Sequence, residues 1–268
     1  QVLLLAGQAL RTGAGGADSG LSAYLIRHSV AALMSRWLQR QWFEQRRPSP
    51  ALWLLLPLSG LFFLLSLLNR WRKHSRRLAV PVVVVGNITV GGAGKTPLTL
   101  WLAEKLREKG LHPGIVSRGY GGKVLVPQAV RIDDHPSLVG DEPLLLARRS
   151  ACPVWVGRDR AAAGAALLAA HPDVDVLLCD DGLQHYRLAR DVELAVFDGR
   201  GAGNGHLLPA GPLREPLGRL ATVDAIICNG LPDRRLPGQV PRFDMSLQPG
   251  HFYALGDPTK TCAAEDLA

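Results

Sequence analysis

The stretch Val82-Val83-Val84-Val85-Gly86-Asn87-Ile88-Thr89-Val90-Gly91-Gly92-Ala93-Gly94-Lys95-Thr96 decides the fold. Four consecutive valines read as a strand buried on both faces. A glycine-rich loop follows, and Gly94-Lys95-Thr96 opens a helical pattern. In it Leu98, Trp101, Leu102 and Leu106 recur at helical spacing until Gly110 stops the run. Pro97 falls in the first turn, where a missing N–H is tolerated. Strand, glycine loop and Gly-Lys-Thr in this order make a phosphate-binding loop. Its backbone (Thr89, Val90, Gly91, Gly92, Ala93, Gly94) would turn N–H groups toward a nucleotide's phosphates. Lys95 would reach the terminal phosphates, and the Thr96 hydroxyl would ligate Mg²⁺. One departure from the general pattern stands at its start. The glycine expected five places before Gly94 is Thr89, and Gly86 lies three residues further upstream.

Outward from this motif, apolar runs at 82–85, 114–117, 154–156, 174–179, 193–197 and 225–228 read as strands. Runs at 95–109, 141–149, 160–170 and 213–222 read as helices. Strands alternating with helices predict an α/β fold, a mostly parallel sheet with helices on both faces. Ligands in such sheets sit at the carboxyl ends of the strands. The 268 residues hold one large domain or two smaller ones. None of the four cysteines forms a C-x-x-C pair, so they read as reduced core residues rather than disulfides or metal ligands. A net charge of +8 calls for an anionic partner.

That charge is uneven. Arg36, Arg40, Arg46 and Arg47 precede an uncharged apolar stretch at 48–69, and Arg70, Arg72, Lys73, Arg76 and Arg77 follow it. Its roughly 22 residues would span about 33 Å as a helix, the hydrocarbon thickness of a bilayer. The expectation is an N-terminal membrane helix that spans the bilayer or lies in one leaflet, kinked near Pro57 and Gly60. Trp42, Phe43 and Trp71 would sit at the interface, and the downstream domain would be cytoplasmic. Basic residues hugging a hydrophobic segment fit lipid headgroups better than nucleic acid. Residues 1–33 pattern as no required element and are set aside as an extension, with Met34 a candidate start. The organisation is therefore an anchoring segment at 34–77 and a P-loop domain at 78–268.

Four further motifs fall at predicted strand ends. Leu177-Leu178-Cys179-Asp180-Asp181-Gly182 ends an apolar strand in paired carboxylates, as a Mg²⁺ site beside a P-loop requires. Gln184 and His185 follow closely. Gly140-Asp141-Glu142-Pro143 precedes a helix, where Asp141 either caps the helix or serves as a general base. Ser117-Arg118-Gly119-Tyr120-Gly121-Gly122 offers a cation on a glycine turn. The loop Gly203 to Pro216 carries Arg214, a cation for an anionic substrate.

GNITVGGAGKTP, SRGYGG, VGDEP, DDGLQH and LLPAGPLREP, in that order behind a hydrophobic segment, resemble the tetraacyldisaccharide 4′-kinase family over about residues 34 to 255. The resemblance also covers the Thr-Val-Gly-Gly loop start. It implies ATP-dependent phosphorylation of the 4′-hydroxyl of an acylated glucosamine disaccharide 1-phosphate, at the cytoplasmic face of an inner membrane, in lipid A biosynthesis. It assigns Lys95 and Thr96 to ATP and Mg²⁺, Asp141 to the base with Glu142 beside it, and Asp180 and Asp181 to a Walker-B-like pair. Asp180 is the better metal ligand and Asp181 the partner in catalysis. His185 joins Lys95, Asp141 and Asp181 as a catalytic residue, and Arg118, Glu142, Arg214 and Glu215 are the expected substrate contacts. The family continues through a smaller C-terminal part with a further catalytic histidine, which implies that this chain is truncated. Nucleic acid is not an expected partner, and the oligomeric state is left open. Two rivals are a membrane-associated ATPase or GTPase switch and a non-catalytic nucleotide-binding scaffold. Asn229-Gly230-Leu231-Pro232 lacks the Lys and Asp of a guanine reader.

Overall fold

A computed structural model of the chain describes residues 34–44, 49–71, 75–230, 235–248, 252–254 and 257–263. The extension at 1–33 lies outside the described residues. The domain is built on an eight-stranded sheet. Its strands are β1 (Val82–Gly86), β2 (Pro113–Ser117), β3 (Gln128–Ala129), β4 (Val154–Val156), β5 (Val176–Asp180), β6 (Val192–Asp198), β7 (Ala225–Asn229) and β8 (Arg242–Met245). They lie in the order β3-β4-β2-β5-β1-β6-β7-β8. Every neighbouring pair is parallel except β3 with β4. A separate antiparallel ribbon, β9 (Phe252–Ala254) with β10 (Asp257–Cys262), lies toward the end of the chain.

The valine run behaves as a strand with two covered faces. Alternate residues of β5 enter opposite cores, because successive side chains point to opposite faces. Leu177 and Cys179 join Val84, Leu183 and Phe197 on one side, with Ala163 and Leu167 of helix α4 (Arg160–Ala170). Leu178 joins Ile115 and Val156 on the other, with Ala103 of α2 (Lys95–Glu108) and Leu146 of α3 (Asp141–Ser150). The sheet is thus sandwiched between α2 with α3 and α4. The P-loop, Asp180, Ser117 and Asp198 all emerge at the same edge of the parallel strands.

Three expectations need correction. The membrane-spanning helix is not found: among the described residues no helix is long and apolar enough to cross a membrane. A short helix at Pro50–Trp53 ends in a turn at Leu54 and Leu55, and α1 (Leu56–Trp71) has 16 residues. That is about 24 Å of helix against the roughly 30 Å of a hydrocarbon core. Trp42, expected at a membrane interface, is buried with its Nε1–H donating to Pro209 O at 3.2 Å. Finally, 213–222 is not one helix. Pro216 has no N–H and drives Glu215 toward extended backbone. Leu213 therefore bridges to Thr89 as a strand would, and only Leu217–Thr222 turns, as a 3₁₀-helix.

α1 rests on the domain through a polar button. Ser59 is buried; its Oγ donates to Leu207 O at 2.9 Å and accepts from Ala210 N–H at 3.1 Å. The opposite side of α1 exposes Leu58, Leu61, Leu64, Leu65 and Leu68.

Candidate active site

The P-loop runs from β1 into α2. Gly94 takes φ 95°, in the left-handed region that side chains rarely adopt, and turns the chain into the helix. Lys95, the first helical residue, is buried, and Thr96 follows it in the same turn. Sheet register places the acidic pair beside the loop, because Val85 of β1 lies opposite Asp180 of β5. The Thr99 hydroxyl, one turn along α2, donates to Asp180 Oδ1 at 3.1 Å. Asp180 Oδ2 is buried with no hydrogen-bond partner. Burial, then Glu142 and then Asp181 push the Asp180 carboxyl up to about 7, against the pull of Thr99 and Lys95. A buried carboxylate oxygen without a donor, facing further acidic groups, is a place where a cation would settle. Among the described residues no cluster of three His, Cys, Asp or Glu forms a ready-made cation cage. The one orphaned oxygen of Asp180 suits an ion such as Mg²⁺, which takes one or two protein ligands and completes its shell with phosphate oxygens and water.

Asp181 sits at φ 49°, an uncommon conformation for a residue with a side chain. The turn aims its carboxylate across the loop mouth. Lys95 Nζ and Arg214 Nη1 each stand 3.5 Å from Asp181 Oδ1. Arg214 Nη1 also donates to Gln184 Oε1 at 3.3 Å, and Gln184 Nε2 donates to Asn87 O at 2.9 Å. The strand-like course of Leu213 puts Arg214 there, with its N–H donating to Ile88 O. Beyond Asp181 opens a cavity of about 490 Å³ whose walls carry Arg118, Arg158, Arg160, Arg187 and Arg214. Five guanidiniums around one polar cavity are suited to a phosphate-bearing ligand.

His185 borders this cavity, but its ring already has work. Arg160 N–H, at the start of α4, donates to His185 Nε2 at 3.1 Å, and Asp159 Oδ1 lies 3.6 Å away. Asp159 caps α4 through Ala161 N–H and Ala162 N–H. His185 thus ties α4 to the Asp181 turn. Asp141 does not cap α3: Gly140 is the cap residue, without a side chain, and Asp141 opens the first turn exposed to solvent. Glu142 is also exposed, yet it acts on Asp180.

Glu215 turns away from Asp181. It accepts from Tyr186 O–H at 2.8 Å and pairs with Arg219 at 3.3 Å, in a buried cluster completed by Glu193. The structure therefore gathers Lys95, Asp180, Asp181 and Arg214 around one point and lines the adjoining cavity with Arg118 and His185. It leaves Glu215 on the far side of the loop. Thr99 and Arg160 were missed from the sequence. Thr99 sits at the spacing of a helix interior, and only the adjacency of α2 and β5 reveals its carboxylate. Arg160 reads as an ordinary helix opener, yet it is 7% exposed, with Nη2 donating to Asp181 O at 3.3 Å.

Loop, acidic strand end and parallel sheet define the class: a P-loop nucleotide-binding α/β protein. Comparison with known proteins narrows it. Residues 51–267 match the family described as Tetraacyldisaccharide-1-P 4′-kinase. A tetraacyldisaccharide 4′-kinase of Dechloromonas aromatica is 65% identical over 235 residues, covering 88% of this chain and 71% of that protein. One from Chromobacterium violaceum is 54% identical over 244 residues, covering 87% and 70%. The crystal structure of LpxK from Aquifex aeolicus in complex with ATP superposes with a TM-score of 0.63 at 30% identity, covering 72% of this chain and 64% of that one. The chain belongs to the tetraacyldisaccharide 4′-kinase family.

Proposed function

We propose that the chain transfers the γ-phosphoryl group of ATP to the 4′-hydroxyl of an acylated glucosamine disaccharide 1-phosphate. The observation that carries this reading is the meeting of Lys95, Asp181 and Arg214 at the seam between the P-loop and the arginine-lined cavity. A phosphate donor on one side and an anionic sugar on the other would present reacting groups across that seam. Holding them in line supplies most of the catalysis that phosphoryl transfer needs.

The P-loop amides and Lys95 would bind the β- and γ-phosphates. Asp180 and Thr96 would hold Mg²⁺, which when bound neutralises charge on the phosphate oxygens. Asp141, on the first turn of α3, would take the proton of the attacking hydroxyl, with Glu142 next to it. Asp181 orients Lys95 and Arg214. Arg118, Arg160 and Arg214 would hold the acceptor, its 1-phosphate supplying the anion. We place the reaction at the cytoplasmic face of the inner membrane. The apolar outer side of α1 would lie in one leaflet, with Trp71, 87% exposed, at its end. A nucleotide switch or a scaffold would bind ATP without labelling lipid.

The test incubates membranes containing the chain with labelled ATP and the phosphorylated acyl-disaccharide, beside the Dechloromonas relative. Label should enter the lipid and should vanish in Lys95→Ala. ATP consumption without labelled lipid would overturn the transfer reading.

A further inference from the structure

The P-loop lacks its expected first glycine, and something outside the loop must help set its shape. Its first half is zipped to the loop before the 3₁₀-helix: Thr89 bridges Leu213, and Val90 N–H donates to Pro212 O at 2.9 Å. Its second half meets Arg200, just beyond the end of β6. Arg200 Nη2 donates to Gly92 O at 2.8 Å. The guanidinium is fixed from two other directions. Asp198 accepts from Arg200 Nε at 2.9 Å and pairs with Nη2 at 2.5 Å, while the ring of Phe43 lies under the guanidinium at 4.9 Å. Asn229 Nδ2, at the end of β7, stands 3.5 Å from the next carbonyl, Ala93 O.

We propose that Arg200 is a positioning residue for the nucleotide: by holding the Gly92 carbonyl outward, it turns the Ala93 N–H inward to the phosphates. The step is stereochemical. A trans peptide is planar, with C=O and the next N–H on opposite sides. Fixing the Gly92 oxygen on the outer face therefore fixes the Ala93 N–H on the inner one. Glycine at 91 and 92 leaves this peptide free to flip without such a hold. A donor already aimed needs no reordering when the phosphate arrives. Arg200 suits the task because its planar fork can engage Asp198 and Gly92 O together, which a lysine ammonium does not reproduce. Phe43 extends the brace to the segment that precedes α1.

This inference rests on the nucleotide reading of the loop, and the test separates the two. Binding of a fluorescent ATP analogue and of ATP by competition is measured on the full chain in mild detergent, for the parent, Arg200→Ala, Arg200→Lys and Asp198→Asn. Loss of one aimed donor to a charged phosphate should raise Kd about tenfold in both Arg200 variants. Asp198→Asn should weaken binding in the same direction. Hydrogen exchange across 89–94 should quicken in nucleotide-free Arg200→Ala, while the melting temperature stays near the parent's, since the Arg200 side chain is 42% exposed. A parent that binds no nucleotide refutes the kinase reading and this inference together. A parent that binds, with Arg200→Ala equal to it, refutes the inference alone. Full affinity in Arg200→Lys would show a plain charge effect and also overturn the brace.

Discussion

Ser59→Ala should undock α1 while leaving the sheet intact. The Ser59 oxygen serves two backbone groups of the loop, accepting from Ala210 N–H at 3.1 Å and donating to Leu207 O at 2.9 Å. Alanine keeps the helix but leaves both groups without this partner in a buried seam, where Ala210 is fully covered. Leu207 O keeps its bond from Gly211 N–H, so one buried group, the Ala210 N–H, is stranded, which weakens the seat of α1 by about 1–3 kcal/mol. Two kcal/mol multiplies the undocked population about thirtyfold. Brief trypsin treatment in mild detergent reads that population, through cleavage in the basic run from Arg70 to Arg77. Cleavage should accelerate about thirtyfold, and exchange at the 207–211 amides should rise, while the cooperative melting of the sheet domain hardly moves. Gly60→Ala is the control on the same helix, since nothing lies within 4 Å of an added Cβ. If Ser59→Ala cleaves at the parent's rate, the button is not what holds the helix.

Lys95→Ala should abolish transfer and weaken ATP binding with the fold intact; turnover within about tenfold of the parent, about 1.4 kcal/mol of barrier, would remove Lys95 from the site. Metal-free stability should depend on Asp180: its carboxyl, about 7 in the folded chain and ordinarily 3.8, keeps a proton that the unfolded chain has lost. Stability therefore falls as pH rises from about 4 to 7 and then levels, and Asp180→Asn should remove that part of the slope. Melting curves of parent and variant that run parallel across this window would contradict the burial argument. Gly140→Ala should cost about 2 kcal/mol or more, because φ is 94° and the new Cβ would stand 2.5 Å from Tyr120 O. Equal urea midpoints for Gly140→Ala and parent would refute it. Glu193→Ala should cost about 1–3 kcal/mol, because it removes the carboxylate that Arg219 and Arg190 share and leaves Arg219 with Glu215 alone; a loss under about 1 kcal/mol in urea titration would show the pair is replaceable.

What could be read in advance follows how local the signal is. The valine run, the loop glycines and the helical spacing of Leu98, Leu102 and Leu106 are local, and β1, α2, β5, β6 and β7 fall within two residues of expectation. Strand β8 was missed because Arg242-Phe243-Asp244-Met245 is largely exposed at the sheet edge and, among the described residues, pairs on one side only. β3 has two residues, too few for any period. The apolar stretch at 48–69 suggested a span because composition is blind to the turn at Leu54 and to the partner that Ser59 finds in a distant loop. In the site, Lys95, Asp180, Asp181 and Arg214 were legible from motifs. Thr99, Arg160 and Arg200 were not, since each matters only through a neighbour 20 to 110 positions away.

The register that sets Val85 opposite Asp180 divides the protein into a part that cannot drift and a part that can. Asp180 ends β5, and Lys95 opens α2, which is tied back to that strand by Thr99, so the placing of both follows from the packing of helix on sheet. The side proposed to hold the acceptor is made of turns: 118–122 and the long loop that ends at Arg214. Insertions and replacements in those turns leave the strands untouched. A lineage, or a designer, could therefore alter which sugar is presented while the phosphate machinery is carried along unchanged. Trading the nucleotide would instead demand remaking the centre of the sheet.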